Sequence, residues 1–557
     1  MSPKRIVIVG GVAGGASAAA RARRLCEKCE IIIFERGPHV SFANCGLPYF
    51  VGGEIVEQDS LLLQTPETLR ARFNLDVRVR TEVLAIDRAA QTVKVRELDT
   101  GREYEQPYDT LVLSTGASPL RPPIPGIEQP GHFVVRNIPD VEQIMAWIKD
   151  CKACRAVVVG GGYIGLEMAE QLKHRGLGVT LVEALPQVMA PLDPEMAAWL
   201  HAELKSNGVE LHLGDSVAAF EAPKAGENAR ASVVVLKSGK RIEADTVVLG
   251  LGVRPETALA RNAGLELGAL GGVRVNEHMQ TRDPRIYAVG DAVEVRDHVT
   301  GAWSIIPLAG PANRQGRIVA DNIFGAPSRY QGTLGTAILR LFKLSAGCTG
   351  ANEKSLRKAG IPFQALHLHP GSHAGYYPGA EPIAMKILFA PDTGKLLGAQ
   401  AVGQDGVDKR IDVLATALKA GMTVNDLAEL ELAYAPPFGS AKDPVNMAGM
   451  AAQNVLSGNM PIAQWNEIAT LNPGQSVLLD VRRPDERARG FIPGSIHIPL
   501  DQVRARMGEL PRDKDIIVHC LSGQRSYFAT RILAQNGFNV RNLTGSYRTW
   551  KTAVNGN

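Results

Sequence analysis

Three things are scarce in this 557-residue chain, and each shortage removes a class of function. No run of 18 or more apolar residues occurs, so no segment reads as a membrane span. Charge of one sign is not in excess: 61 Lys and Arg face 57 Asp and Glu, a formal +4. That surplus is too small and too scattered for a nucleic-acid binder, though it suits an anionic small ligand. Cysteine is sparse and odd in number, seven in all. Such a count does not resemble a secreted disulfide framework, so a reducing cytoplasm is the expected compartment.

What is present is 45% hydrophobic residues and 57 glycines, an ordinary globular composition rich in turns, at a length that suggests roughly three or four domains. The opening "MSPKRIVIVGGVAGGASAAARA" has the charged start and apolar run of a signal peptide. A strand, glycine turn and helix explain it better, because "EIIIFE" follows as a second strand ending in Glu35. That is a βαβ dinucleotide unit. Gly10 and Gly15 match its outer glycines, while Val12 replaces the middle one. The unit recurs in "CRAVVVGGGYIGLEMAEQL" and "GVTLVEAL", with Gly160, Gly162 and Gly165 in full GxGxxG register and Glu183 ending the next strand. Such glycines let backbone approach a pyrophosphate at a helix N-terminus. Glu183 would repel a 2′-phosphate and accept from a free 2′-hydroxyl, which favours NADH while leaving NADPH possible through nearby arginines.

Three further strands run into glycine turns: "LVLSTGASP" with Thr115 and Gly116, "VVLGLGVRPE" with Gly252, and "RIYAVGDAVE" with Asp291. Together these pieces resemble the pyridine nucleotide disulfide oxidoreductases over roughly residues 1–450. The resemblance implies an α/β fold with two Rossmann-like domains and an α+β dimerisation domain. FAD would lie on the first turn, NADH on the second, and Asp291 near the ribityl chain. The expected flavin domain is 1–150 with 276–330, the NADH domain 151–275 and the dimerisation domain 331–448, giving a homodimer.

The segment "SFANCGLPYF" carries Cys45 with no second cysteine before Cys151. A single thiolate can store two electrons only as a sulfenic acid or as a mixed disulfide with an external thiol. Sulfenic-acid NADH oxidases and peroxidases of this family generally place a histidine in the first glycine loop, and "GGVAGG" has none. On the following helix Ser17, Arg21 and Arg24 share a face that is either a solvated basic stripe or a polyphosphate contact. "SFANCGLPYFVGGEI" most resembles the coenzyme A disulfide reductase subfamily. That resemblance implies Cys45 as nucleophile, Ser41 and Asn44 along bound coenzyme A, and Ser17, Arg21 and Arg24 at its phosphate end. Arg72, or Arg70 beside it, would join them. Tyr376 (or Tyr377) and Tyr434 would reach the partner subunit's thiol, with Lys442 on coenzyme A. The thiolate would be favoured by the helix after the flavin turn, nearby arginines and oxidised flavin.

After an expected linker at 449–465, residues 466–557 restart as a small α/β unit. Its "SVLLDVRRPDE", "RGFIPGSIHIPL" and "DIIVHCLSGQRSYFATRIL" resemble a rhodanese domain, with Phe491 where many relatives have histidine. Cys520 sits before a helix N-terminus, where backbone N–H groups can surround a sulfur anion, and Arg525 adds charge. The implied activity is NADH-dependent reduction of sulfur–sulfur bonds in coenzyme A persulfide, other small persulfides, polysulfide or coenzyme A disulfide, with Cys520 carrying sulfane sulfur. An NADH oxidase or peroxidase, or a sulfur-trafficking redox sensor, is the alternative. The pairs Cys26/Cys29 and Cys151/Cys154, and His367, His369 and His373, fit no metal pattern, so no metal site is expected; Cys348 reads as core.

Overall fold

The computed structural model describes residues 4–222 and 232–556. Its elements fall into two compact units, Met1–Ala184 with His212–Gly335, and Leu185–Leu211 with Thr336–Asn557.

In the first unit each glycine turn generates a parallel sheet. Arg5–Val9 leads into the helix Ala13–Leu25 and returns as Glu30–Phe34, paired in register from Arg5↔Glu30 to Val9↔Phe34. Thr110–Leu113 and Ile286–Ala288 extend the sheet on one side and Asp76–Arg78 on the other. Strands covered on both faces need unbroken apolar runs, and Ile6, Val7, Ile8 and Ile31 to Phe34 supply them, all buried. The second sheet repeats the plan with Arg155–Val159 between Gly178–Glu183 and Thr246–Leu249, both parallel to it. Its far edge is His132–Phe133, drawn from sequence expected to lie wholly in the flavin domain.

The two turns share one steric demand. Gly10 and Gly160 have φ of +98° and +108°, and a Cβ on either would lie 2.1 Å from the Ser114 carbonyl oxygen or 2.2 Å from that of Gly250. Only glycine meets both conditions.

One local departure from the expected thiols occurs here. Cys26 and Cys29 form a disulfide across the turn that follows the first helix, their Cα atoms 5.6 Å apart. The helix stops at Leu25, and the tight return into Glu30–Phe34 brings the two cysteines within bonding reach. Cys45, Cys151, Cys154, Cys348 and Cys520 remain thiols, Cys348 buried as expected.

In the second unit an antiparallel sheet orders Ala337–Leu341, Leu344–Gly350, Leu396–Gly403, Ala384–Phe389 and Gln364–Leu368. Segment 185–211 is pinned to it by Lys386, whose buried ammonium meets Asp193 at 2.9 Å, Glu353 at 2.6 Å and Glu195. Burial opposes this charge, but the three carboxylates prevail and raise the lysine pKa. A parallel sheet follows in the order Ile462–Ala463, Val540–Leu543, Asp515–His519, Ser476–Asp480 and Ile496–His497. Residues 449–465, expected as a linker, are helical to Leu456 and supply that first strand. The terminal helix Ser546–Gly556 packs on the helix Pro194–Ser206.

Candidate functional site

A cavity of about 590 Å³ runs through the first unit from Gly10 and Gly14, past Glu35 and Thr115, to Cys45 and Asp291. Its shape follows from the glycine turn and from the strand ends that open on it. Glu35 accepts the N–H of Gly11 at 2.9 Å and of Gly37 at 2.8 Å, and Glu183 accepts from Gly161 at 2.6 Å in the repeated unit. Each acid therefore closes its own turn. Nothing lies within 4 Å of where a Cβ on Gly162 would point, the space a pyrophosphate needs. Val12 holds the matching place in the first turn at a φ of −90°, open to any residue, so losing the middle glycine leaves that turn intact. Gly116 and Arg136 also line the cavity; Thr115 donates to the Glu256 carbonyl at 2.6 Å, and Gly252 turns with φ +93° beside Leu120. Burial raises the Asp291 carboxyl pKa, opposed by Arg136. The cavity's volume, its glycine end and its acid on the second strand suit a flavin dinucleotide.

Cys45 stands in the short turn Asn44–Gly46 that precedes the helix Leu47–Gly52. It opens into the cavity, and among the described residues no second cysteine lines that space. Surrounding protein still desolvates the sulfur and raises its pKa, with the carboxylates of Glu167 and then Asp291 acting in the same direction. The expected lowering by nearby arginines is therefore not what the fold supplies: carboxylates, not guanidinium groups, dominate the field at this sulfur. Glu167 was not singled out from the sequence. It lies inside "GGGYIGLE", where only the glycines attracted notice, and it accepts from Tyr49 O–H at 3.3 Å, joining the NADH-turn helix Tyr163–His174 to the helix after Cys45.

Ser41 adopts φ +48° and donates its N–H to the Gly11 carbonyl at 2.9 Å, which ties the Cys45 loop to the glycine turn. Asn44 lines the cavity with its Oδ1 3.7 Å from the Cys45 sulfur. The basic face resolves unevenly. Ser17 donates to Asn313 at 2.8 Å and Arg21 pairs with Asp321 at 2.7 Å, whereas Arg24, Arg70 and Arg72 are exposed.

In the second unit the hydroxyls of Tyr376 and Tyr434 lie 2.8 Å apart, both side chains exposed. Tyr377 instead packs edge-on against His373. Lys442 is exposed nearby in sequence.

Cys520 is fully buried at the end of strand Asp515–His519. Its sulfur accepts the Gly523 N–H at 3.1 Å and lies 3.5 Å from Ser526 Oγ and 3.9 Å from Ser546 Oγ. Arg525 spends its two guanidinium arms on Glu486 at 2.6 and 2.7 Å, and this hydrogen bond lowers the Glu486 pKa. Glu486 raises the pKa of this guanidinium, and the Cys520 sulfur also acts on it in that direction. Glu486, Ser526 and Ser546 were not singled out from the sequence. Glu486 and Ser526 stand inside "DVRRPDE" and "LSGQRS", but Ser546 carries no motif.

Residues 4–316 match the family described as pyridine nucleotide-disulphide oxidoreductase. The chain belongs to that family. Residues 337–444 match the pyridine nucleotide-disulphide oxidoreductase dimerisation domain and residues 466–553 a rhodanese-like domain. As a pyridine nucleotide-disulphide oxidoreductase it is an FAD-dependent enzyme that uses NAD(H). It is 36% identical over 450 residues to a coenzyme A disulfide reductase of Staphylococcus epidermidis, covering 81% of this chain and 100% of that one. The solved structure of reduced CoADR-RHD from Bacillus anthracis is similar with a TM-score of 0.97 at 50% identity, covering 100% of this chain and 99% of the other. An NAD-dependent persulfide reductase from A. fulgidus aligns with a TM-score of 0.91 at 38% identity, over 98% and 100%. Among the described residues no helix is long and apolar enough to cross a membrane.

Proposed function

We propose that this flavoprotein reduces the sulfur–sulfur bond of a coenzyme A persulfide, with other small persulfides, polysulfide and coenzyme A disulfide as related substrates. The observation that carries the reading is Cys45, alone at the cavity's end. With no resolving cysteine beside it, no internal disulfide can form, and of the two oxidised forms left to a lone thiolate we take the mixed disulfide with an external thiol over the sulfenic acid. FAD, held by the Gly10 turn, Glu35 and the Asp291 end of the cavity, supplies a two-electron relay between nicotinamide and sulfur. The chain's own part is to hold Cys45 against that relay through the Ser41 and Asn44 loop, and to bind the thiol carrier. Arg24 and Arg72 are the exposed cations for its phosphates, with Arg21 sharing its guanidinium with Asp321, Ser17 at the carrier's chain and Lys442 alongside. Tyr376 and Tyr434, as a hydroxyl pair on a homodimer partner, would protonate the departing sulfur.

The rhodanese-like domain favours persulfide over simple disulfide, since its buried Cys520 and N–H donor suit sulfane-sulfur carriage. Replacing Cys520 with serine is expected to spare reduction of free persulfide and to weaken transfer from a sulfur donor; equal loss of both would contradict that division. Against a sulfenic-acid oxidase stands the glycine loop without histidine: the cavity's histidine, His39, belongs to the Glu35 loop. Intact mass of the non-reduced protein tests the reading. A coenzyme A adduct on Cys45 supports it, and a single added oxygen supports the oxidase.

A further inference from the structure

Ser546 opens the terminal helix in a left-handed conformation, φ +52°, and is fully buried. Non-glycine residues hold such backbone only when their surroundings impose it. The imposition is visible. The His367 N–H donates to Thr544 Oγ1 at 2.7 Å, and His369 Nε2 bonds Thr549 Oγ1 at 2.8 Å. Between them Gly545 leaves no space for a side chain: a Cβ there would lie 2.0 Å from Thr549 Oγ1 and 2.8 Å from His367 Cβ. His367 is itself fixed by Glu195 at 2.9 Å. His367 belongs to the antiparallel sheet's edge strand Gln364–Leu368 and His369 follows that strand, and neither fitted any role in the sequence. The clamped serine meets the sulfur loop directly, its Oγ accepting the Cys520 N–H at 3.1 Å and lying 3.1 Å from Ser526 Oγ.

We propose that Ser546 is a further residue of the Cys520 sulfur site, a hydroxyl that hydrogen-bonds the bound persulfide, and that His367 and His369 are positioning residues that set it there. The inference rests on reading Cys520 as a sulfane-sulfur carrier. The Cys520 thiolate attacks the outer sulfur of R–S–SH; a bond from Sγ to that sulfur forms, the R–S to sulfur bond breaks, and R–S⁻ leaves with the electron pair. Cys520–S–SH remains, without net oxidation. When that persulfide ionises, its outer sulfur gains a charge that the Gly523 N–H and the Ser526 and Ser546 hydroxyls stand ready to receive. The Ser546 hydroxyl has the Leu543 carbonyl at 3.2 Å and the Cys520 sulfur at 3.9 Å within its donor range, and a turn about one bond moves its proton between them.

The test uses the full-length holoenzyme with Cys45→Ser, so that sulfur collects on Cys520. Glutathione persulfide is the donor and cyanide the acceptor, with thiocyanate counted and Cys520 persulfide read by intact mass. Ser546→Ala is expected to slow transfer roughly tenfold, the worth of one hydrogen bond to a charged group, with the donor KM unchanged. Thr549→Val is expected to slow it in the same way and Thr549→Ser to restore it. Thermal melts and far-UV circular dichroism matching the parent report that each variant has folded. Where alanine folds poorly, Ser546→Gly removes the hydroxyl while accepting the left-handed backbone, and must show the same slow transfer. Transfer equal to the parent in Ser546→Ala or Ser546→Gly overturns the inference. Sulfur loading that persists when Cys520 is also replaced overturns the carrier reading, and the inference falls with it.

Discussion

Cys45 is the residue on which the chemistry turns, yet its own protein surroundings favour the thiol. Burial and two carboxylates raise its pKa, while nucleophilic attack needs the thiolate. Glu167→Gln removes one of the opposing charges, so the pH midpoint of Cys45 alkylation is expected to fall. An unmoved midpoint would show that Glu167 is too well screened to matter. Cys45→Ser is expected to keep FAD and its bleaching by NADH but to reduce NADH oxidation on coenzyme A persulfide to background. At this scale the sequence was legible where chemistry has a spacing. The glycines, Glu35, Glu183, Cys45 and Cys520 all announced themselves. Glu167 and Ser546 did not: the first acts through a helix contact remote in sequence, and a left-handed serine has no signature of its own.

Elements were legible for a related reason. A buried parallel strand must be an apolar run and must end in a turn, so "RIVIV" and "RAVVV" are legible as strands from the sequence alone. The edge strand His132–Phe133 could not, because two residues carry no period. Glu183 ends its strand with its carboxylate on the Gly161 N–H, where an adenosine ribose would compete for it. Glu183→Ala is expected to raise the ratio of kcat/KM for NADPH over NADH, roughly tenfold for the loss of one nearby like charge. A ratio that stays constant would assign the preference to another side chain. Gly160→Ala, with its forced φ and its clash with Gly250, is expected to abolish NADH-driven flavin reduction while the flavin spectrum persists.

At the scale of the molecule, burial lowers the pKa of four histidines among the described residues: His132, His201, His369 and His519, the last pushed down to about 4. The unfolded chain binds protons at these sites near pH 6.5, before the folded chain does. Their protonation therefore costs nothing above that pH and destabilises progressively as pH falls from about 6.5 towards 4, by about 3 kcal/mol for His519 alone. Thermal melts over that range are expected to drop steeply, and His519→Gln to flatten the drop. A parallel decline in the variant would place the acid sensitivity elsewhere.

The docking of the terminal helix has a consequence for how the chain can be dissected. Gly556 gives its carbonyl to His201 at 2.8 Å and leaves no room for a side chain against Ala198, while His367 and His369 grip the helix's other end. Excising the rhodanese-like portion at Ser457 would strip away all of these partners together and bare the face turned to Pro194–Ser206. Separate sequence matches on one chain do not make separable parts, and a fragment would carry Cys520 without the scaffold that shapes its surroundings.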